Sequence, residues 1–222
     1  MTDGRGRPLR LRLLSLAGLL VIVGAVIGGL MAAGLIGSQG GGTTSSGVKI
    51  RDAQMLETPR PPGVGDFQVG AVAGKFAPEF EVSRMDNGER VRLSEFRGHP
   101  VYLNFWASWC IPCAAEIPDI AQLQRDHPDL VVIGANLEEP LARAQGFLAG
   151  IDLKDGSKGF RYVVPAMDPS GALYKAYNPF PRAAPPLSIF IDPQGRVTQV
   201  YGGQLGLVQM QDFYARAATG SS

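Results

Sequence analysis

The sequence predicts an α/β fold, a mixed central sheet with helices on both faces. Three observations carry that reading. Short, nearly continuous apolar runs suit strands buried on both faces, apolar residues at helical spacing lie between them, and two hairpin signals frame the folded region. A strand–helix–strand crossover followed by a hairpin requires parallel and antiparallel pairing in one sheet. With 45% hydrophobic and 18% charged residues among 222, the chain can bury a sizeable core.

Leu13 to Ile36 contains no charge, and Ser15 is its one polar side chain. As a helix it would be about 36 Å long, enough to span a bilayer core of about 30 Å with some tilt. Arg5, Arg7, Arg10 and Arg12 flank it on the N-terminal side, so the positive-inside rule leaves them in the cytoplasm and everything after residue 36 outside. A cleaved signal peptide would have a shorter apolar region, about 7–15 residues, and a small-residue cleavage site that Gly34-Leu35-Ile36-Gly37 does not supply. No cysteine follows the segment to carry a lipid. The expected product is a single-pass protein of the cell membrane. Its parts are a cytoplasmic basic segment (1–12), a transmembrane signal-anchor helix (13–36), a flexible extracytoplasmic linker (37–68) and a folded domain (69–222). Gly37 to Gly47 has no apolar periodicity, and Pro59, Pro61 and Pro62 exclude a helix in the linker. The overall net charge of +1 gives no reason to expect a nucleic-acid partner.

Within the folded part, Phe80 to Arg84 and Glu89 to Leu93 pair across Asp86-Asn87-Gly88 as an N-terminal β-hairpin extension, because Asn-Gly favours tight turns. Val101 to Trp106 is a buried strand. Residues 111–125 form a helix that places Cys113, Ile117, Ile120 and Ala121 on one face, and His127 before Pro128 ends it. Leu130 to Ala135 is a second buried strand. Leu141 to Ala149 and the shorter Gly171 to Tyr177 are helices. Leu187 to Ile191 and Arg196 to Tyr201 form a second hairpin across Asp192-Pro193-Gln194-Gly195. Leu207 to Ala218 closes the chain as a helix with Val208, Phe213 and Ala217 as its apolar contacts.

Chemistry concentrates at Trp109-Cys110-Ile111-Pro112-Cys113, where a buried strand ends and a helix begins. These are the two cysteines of the chain. The unpaired N–H groups and partial positive charge of a helix N-terminus favour a thiolate over a thiol. The second cysteine, one turn along, is placed to attack a mixed disulfide on the first. Zinc would need two further ligands, and His99 and His127 are not at finger-like spacing. Covalent haem attachment would need histidine where Ala114 stands. A purely structural disulfide would stabilise little across so short a loop. Glu138-Glu139 and Lys154 to Lys158 read as solvated loop charges.

The run Asn104 to Pro118 resembles the active-site segment of the thioredoxin superfamily, in its TlpA/ResA-like extracytoplasmic branch. Gly74-Lys75-Phe76-Ala77-Pro78-Glu79-Phe80, Leu93 to Gly98 and Phe190 to Arg196 resemble further motifs of that branch, spread over roughly residues 70–216. The resemblance implies a thioredoxin-like fold in which Cys110 attacks and Cys113 resolves, with this redox pair in place of any external cofactor or metal. Pro118 would kink the helix. Asn104 stands where ordinary thioredoxins keep a buried aspartate, and Glu116 resembles the carboxylate that this branch places beside its thiols. Trp109, Ile111, Pro112, Pro185 and Pro186 would line the substrate surface. Pro186 would be the cis residue facing the cysteines, with Pro185 as the alternative, and a proline at 185 offers no N–H to a bound strand. Trp106 would pack inside.

The implied activity is thiol–disulfide exchange with cysteine-containing extracytoplasmic proteins, apocytochrome c among them. It would run in the reducing direction and be supplied by a transmembrane electron donor. A peroxiredoxin-like peroxidase would need Pro and Thr where Leu103 and Ala107 stand. A non-catalytic, chaperone-like client-binding module is the other rival.

Overall fold

The computed structural model describes residues 47–180 and 184–220. The expected segments 1–12 and 13–36 lie outside the described residues, as does the first part of the linker. Among the described residues no helix is long and apolar enough to cross a membrane.

In chain order the elements are β1 Gln54–Met55, β2 Phe80–Arg84, β3 Arg90–Arg92, β4 Val101–Trp106, α1 Ile111–Asp126, β5 Val131–Leu137, α2 Leu141–Gly150, β6 Val164–Asp168, α3 Ala172–Tyr177, β7 Leu187–Ile191, β8 Val197–Gly202 and α4 Leu207–Thr219. A 3₁₀ turn, Leu93–Phe96, precedes β4. The strands form one sheet in the order β1-β2-β6-β5-β4-β7-β8, with β3 paired to β2. β4, β5 and β6 run parallel, while β2 and β7 pair antiparallel to β6 and β4. The sheet is therefore mixed, as the crossover and hairpin patterns require.

β4 is buried at all six positions, and its side chains alternate between two cores, as a period of two demands. Val101, Leu103 and Phe105 face one core with Leu93, Leu173 and Tyr177. Tyr102 and Trp106 face the other with α1, α2 and α4, through Ile117, Ile120, Leu148, Met210 and Ala217. Helices thus cover both faces.

Two elements depart from the sequence reading. β6 is an inner strand that Pro165 conceals, because proline argues against a central strand. It is accommodated because β2 pairs with β6 only at Ala166 and Met167, past the proline. The expected linker is also not loose throughout, and the expected domain start near residue 69 falls too late. β1 adds to the edge of β2, Ala53 is buried, and Thr58 Oγ1 accepts the Glu79 N–H at 2.9 Å. Polar, proline-rich composition hid a segment held by backbone pairing and not by apolar periodicity.

Candidate active site

The chain leaves β4 at Trp106, crosses Ala107 to Trp109 and enters α1 at Cys110, which occupies the N-cap position. Its sulfur accepts the Cys113 N–H at 3.2 Å, which satisfies one of the free donors of the helix start. Pro112 falls in the first turn, where a missing N–H costs nothing. Cys110 and Cys113 are joined as a disulfide with their Cα atoms 5.2 Å apart. Pro118 lies inside α1, which continues through it to Asp126 with one backbone N–H fewer.

Cys113 is fully buried and Cys110 is only 4% exposed, so the outer cysteine is the one of the pair with any access to solvent. What stands exposed are its neighbours, Trp109 at 58% and Ile111 at 83%. Trp106 is fully buried. The cis peptide bond is Pro185–Pro186, which resolves the choice between the two prolines. The Pro185 carbonyl oxygen lies 3.3 Å from Cys110 Sγ. A disulfide sulfur carries no hydrogen, so this is a contact here; a reduced Cys110 thiol would find an acceptor at that oxygen.

Glu116 lies one turn beyond Cys113 on α1 and is completely buried, which removes the alternative of a solvated first-turn glutamate. Asn104 Nδ2 donates to its Oε1 at 2.7 Å, and the Leu205 N–H donates to its Oε2 at 3.1 Å. Burial pushes the Glu116 carboxyl up to about 7; the bonds from Leu205 and Asn104 oppose that rise, and the charge of Asp119 adds to it. The Tyr162 hydroxyl donates to Asn104 Oδ1 at 2.9 Å, an orientation that leaves Asn104 Nδ2 facing the Glu116 carboxylate. The Tyr162 ring lies flat on Gly134, where a Cβ would come within 2.4 Å of it. Tyr102, whose hydroxyl is 2.9 Å from Ser188 Oγ, completes the network.

Glu139 is a residue the sequence reading missed. Far from being solvated, it is buried at the end of β5 and holds the loop leading to Cys110. It accepts the Ser108 N–H at 2.8 Å, the Ser108 hydroxyl, and Asn136 Nδ2 at 2.8 Å. Burial pushes its carboxyl up, but these bonds and Arg143 outweigh it, and the group ends below the ordinary glutamate range. The signal that could have found it is topological: loops at the carboxyl ends of neighbouring parallel strands converge, and β5 lies beside β4.

The family model for the AhpC/TSA family matches residues 73–200. The chain belongs to the AhpC/TSA family. Within it, this member is TlpA/ResA-like. It is 31% identical over 142 residues to the thiol-disulfide oxidoreductase ResA of Bacillus thuringiensis subsp. konkukian, covering 63% of this chain and 75% of that protein. ResA of Bacillus subtilis is 29% identical over 142 residues, 63% of this chain and 73% of that one. A Chlorobium tepidum structure described as a DsbE thiol:disulfide interchange protein superposes with a TM-score of 0.55 at 29% identity. It covers 66% of this chain and 97% of its own. The matched span holds every site residue named above except Leu205, a backbone donor.

Proposed function

We propose that this AhpC/TSA-family chain is a membrane-tethered thiol–disulfide oxidoreductase that exchanges disulfides with cysteine-containing extracytoplasmic proteins. The observation that carries the reading is the Cys110–Cys113 pair on the first turn of α1, set against cis Pro186 and one turn from the buried acid Glu116. The relatives' names, thiol-disulfide oxidoreductase and thiol:disulfide interchange protein, support it.

In the reducing direction, the Cys110 thiolate attacks a client disulfide, forms a mixed disulfide and releases one client sulfur as thiolate. Cys113 then loses its proton and attacks Cys110 Sγ. That step closes the Cys110–Cys113 disulfide and releases the second client thiol, so two electrons pass to the client. Glu116, near half-ionised at neutral pH, is the acceptor for the Cys113 proton. Trp109, Ile111 and Pro112 on one side and Pro185-Pro186 on the other form the client surface. Pro185 can accept but not donate a backbone bond there. A transmembrane thiol donor re-reduces the pair, and apocytochrome c is the client class that the ResA-like relationship favours. Residues 13–36 anchor the chain with residues 1–12 in the cytoplasm, and the folded domain begins near residue 48.

A peroxidase reading draws no support from Leu103 and Ala107, buried apolar residues that offer no hydroxyl beside Cys110. Two measurements test the proposal: turnover in insulin-disulfide reduction, and the equilibrium potential of the Cys110–Cys113 couple against glutathione. Turnover with a potential below about −260 mV fits a reductant of extracytoplasmic thiols. Client binding without turnover would leave a chaperone-like module.

A further inference from the structure

A cavity of about 490 Å³ lies at the far end of β4 from the disulfide, lined by residues that include Arg60, Arg97 and Arg196. Arg97 ends the 3₁₀ turn that leads into β4, and that approach is tied to the β7–β8 turn by the Gly98 N–H to Pro193 oxygen bond. Cys110 follows the other end of β4, and six strand residues separate the two by about 20 Å.

Two of these cations are fixed by aromatic rings. The Arg60 guanidinium lies 5.1 Å from the Phe67 ring centre and that of Arg196 lies 4.1 Å from the Phe76 ring centre. The two rings are themselves in contact, 5.0 Å apart and tilted by 43°, so each guanidinium lies over one ring of a touching aromatic pair. Arg196 also donates to the Gly74 oxygen at 3.2 Å. Arg97 packs on Gly195, where a Cβ would come within 2.3 Å of its Cζ, and its Nη2 is buried with no acceptor among the described residues.

None of the three has an ion-pair partner among the described residues. Two buried carboxylates lie nearby without forming an ion pair to these cations. Burial raises the Asp192 carboxyl and the Arg196 charge partly offsets that rise, while Glu79 Oε2 is buried with no hydrogen-bond partner among the described residues. Asp192 accepts the Arg196 N–H at 2.7 Å, and Glu79 Oε1 accepts the N–H groups of Phe80 and Ser94. Like charges gathered in a concavity repel one another unless an anion joins them. Guanidinium forks match phosphate oxygens in pairs; a phosphomonoester offers three free oxygens and a charge of about −1.5 to −2, and a phosphodiester offers two free oxygens and one charge. Ser94 and Gln194 are also among the lining residues, and their side chains spend no hydrogen bond within the described residues, while Phe76 and the flanking prolines add apolar lining.

We propose that this cavity binds an organic phosphate, an activity separate from thiol exchange and independent of it. The phosphate can arrive as a soluble monoester or as the diester of a phospholipid headgroup. The test uses the full chain in uncharged detergent micelles. It is titrated with glycerol phosphate in one arm and with phosphatidylglycerol added to the micelles in the other, and binding is followed by calorimetry. Saturable binding is expected in at least one arm. It should weaken tenfold or more in Arg60→Ala and in Arg196→Ala, weaken less in Arg60→Lys, and stay unchanged in Arg216→Ala, an exposed cation outside the cavity. Insulin reduction should stay within twofold in Arg60→Ala, which changes a side chain outside the folded strands and helices. Binding only in the phosphatidylglycerol arm assigns the headgroup as the source. No saturable binding in either arm, or equal loss in Arg216→Ala and Arg60→Ala, would overturn the site.

Discussion

Glu139 accepts two hydrogen bonds from Ser108, one from its backbone N–H at 2.8 Å and one from its hydroxyl. A carboxylate on the β5–α2 loop thereby holds the stretch that carries Cys110 out of β4. Replacing Glu139 with Ala leaves the Ser108 N–H and the buried Asn136 amide without acceptors, at a cost of roughly 1–3 kcal/mol each where no water replaces the bond. Because the Glu139 carboxyl is held low in the folded state, its stabilisation is present above the unfolded glutamate pKa and is lost as pH falls through the lowered folded value. Glu139→Ala should therefore lose more stability at pH 7 than at pH 3, measured by urea unfolding. An equal loss at both would contradict the carboxylate clamp.

Glu116 has the opposite sign. Its folded carboxyl sits at about 7 against an unfolded value of 4.5, so the unfolded state ionises first as pH rises. Stability should fall between about pH 4.5 and 7 by roughly 3 kcal/mol and then level off. Glu116→Gln should flatten that slope. It also places an amide where both oxygens accept bonds, and Asn104 can turn to meet it only by reversing its bond with the Tyr162 hydroxyl. The variant therefore gains less stability at pH 8 than the lost ionisation cost alone would give. In cysteine alkylation, one ionisation should vanish from the pH–rate profile; an unaltered profile would remove Glu116 from the proton path.

The Asn104 bond lowers the Glu116 proton affinity, so weakening it should raise that affinity. Tyr162→Phe frees the Asn104 amide by deleting the bond to its oxygen, and Asn104→Leu deletes the donor itself. Both should move the Glu116 ionisation above 7, Asn104→Leu further than Tyr162→Phe, read from the same alkylation profile. A downward shift in either would contradict the network.

How much of this was legible depended on whether the signal was local. Cys110 and Cys113 announce themselves by spacing and by the strand-to-helix position, and the nearly continuous apolar run of β4 marks its burial on both faces. Cis Pro186 was narrowed to two candidates, since adjacent prolines share the same local cues. Glu139 was not legible, because its partner Ser108 is 31 positions away and only the parallel pairing of β4 with β5 brings them together. β6 was masked by Pro165, whose cost disappears because β2 pairs with that strand only beyond it.

The segment before β2 gives a prediction about chain length. A chain beginning at Val48 retains Ala53, β1 and Thr58 and should reduce insulin as the full chain does. One beginning at Val69 exposes the edge of β2 and strips the buried Glu79 N–H of its Thr58 acceptor. Its melting temperature should drop on the order of 5–10 °C. Equal melting temperatures would return residues 48–68 to the role of a loose tether.

The two cysteines should be inequivalent. In the reduced protein Cys110 Sγ has the Cys113 N–H at hand, the partial positive charge of the α1 start beneath it and an edge of solvent access. Cys113 is fully buried on the face shared with Ile117 and Ile120, where removal from water opposes ionisation. Thiolate, and therefore attack, begins at Cys110, with about a tenfold rate advantage for each unit separating the two pKa values, less whatever nucleophilicity falls with basicity. In Cys113→Ser the first step survives and resolution cannot occur, so clients should accumulate as adducts that dithiothreitol releases. In Cys110→Ser the remaining thiol is buried, so adducts should be absent and insulin reduction should fall to background. Adducts formed as readily by Cys110→Ser as by Cys113→Ser would reverse the assignment of nucleophile and resolver.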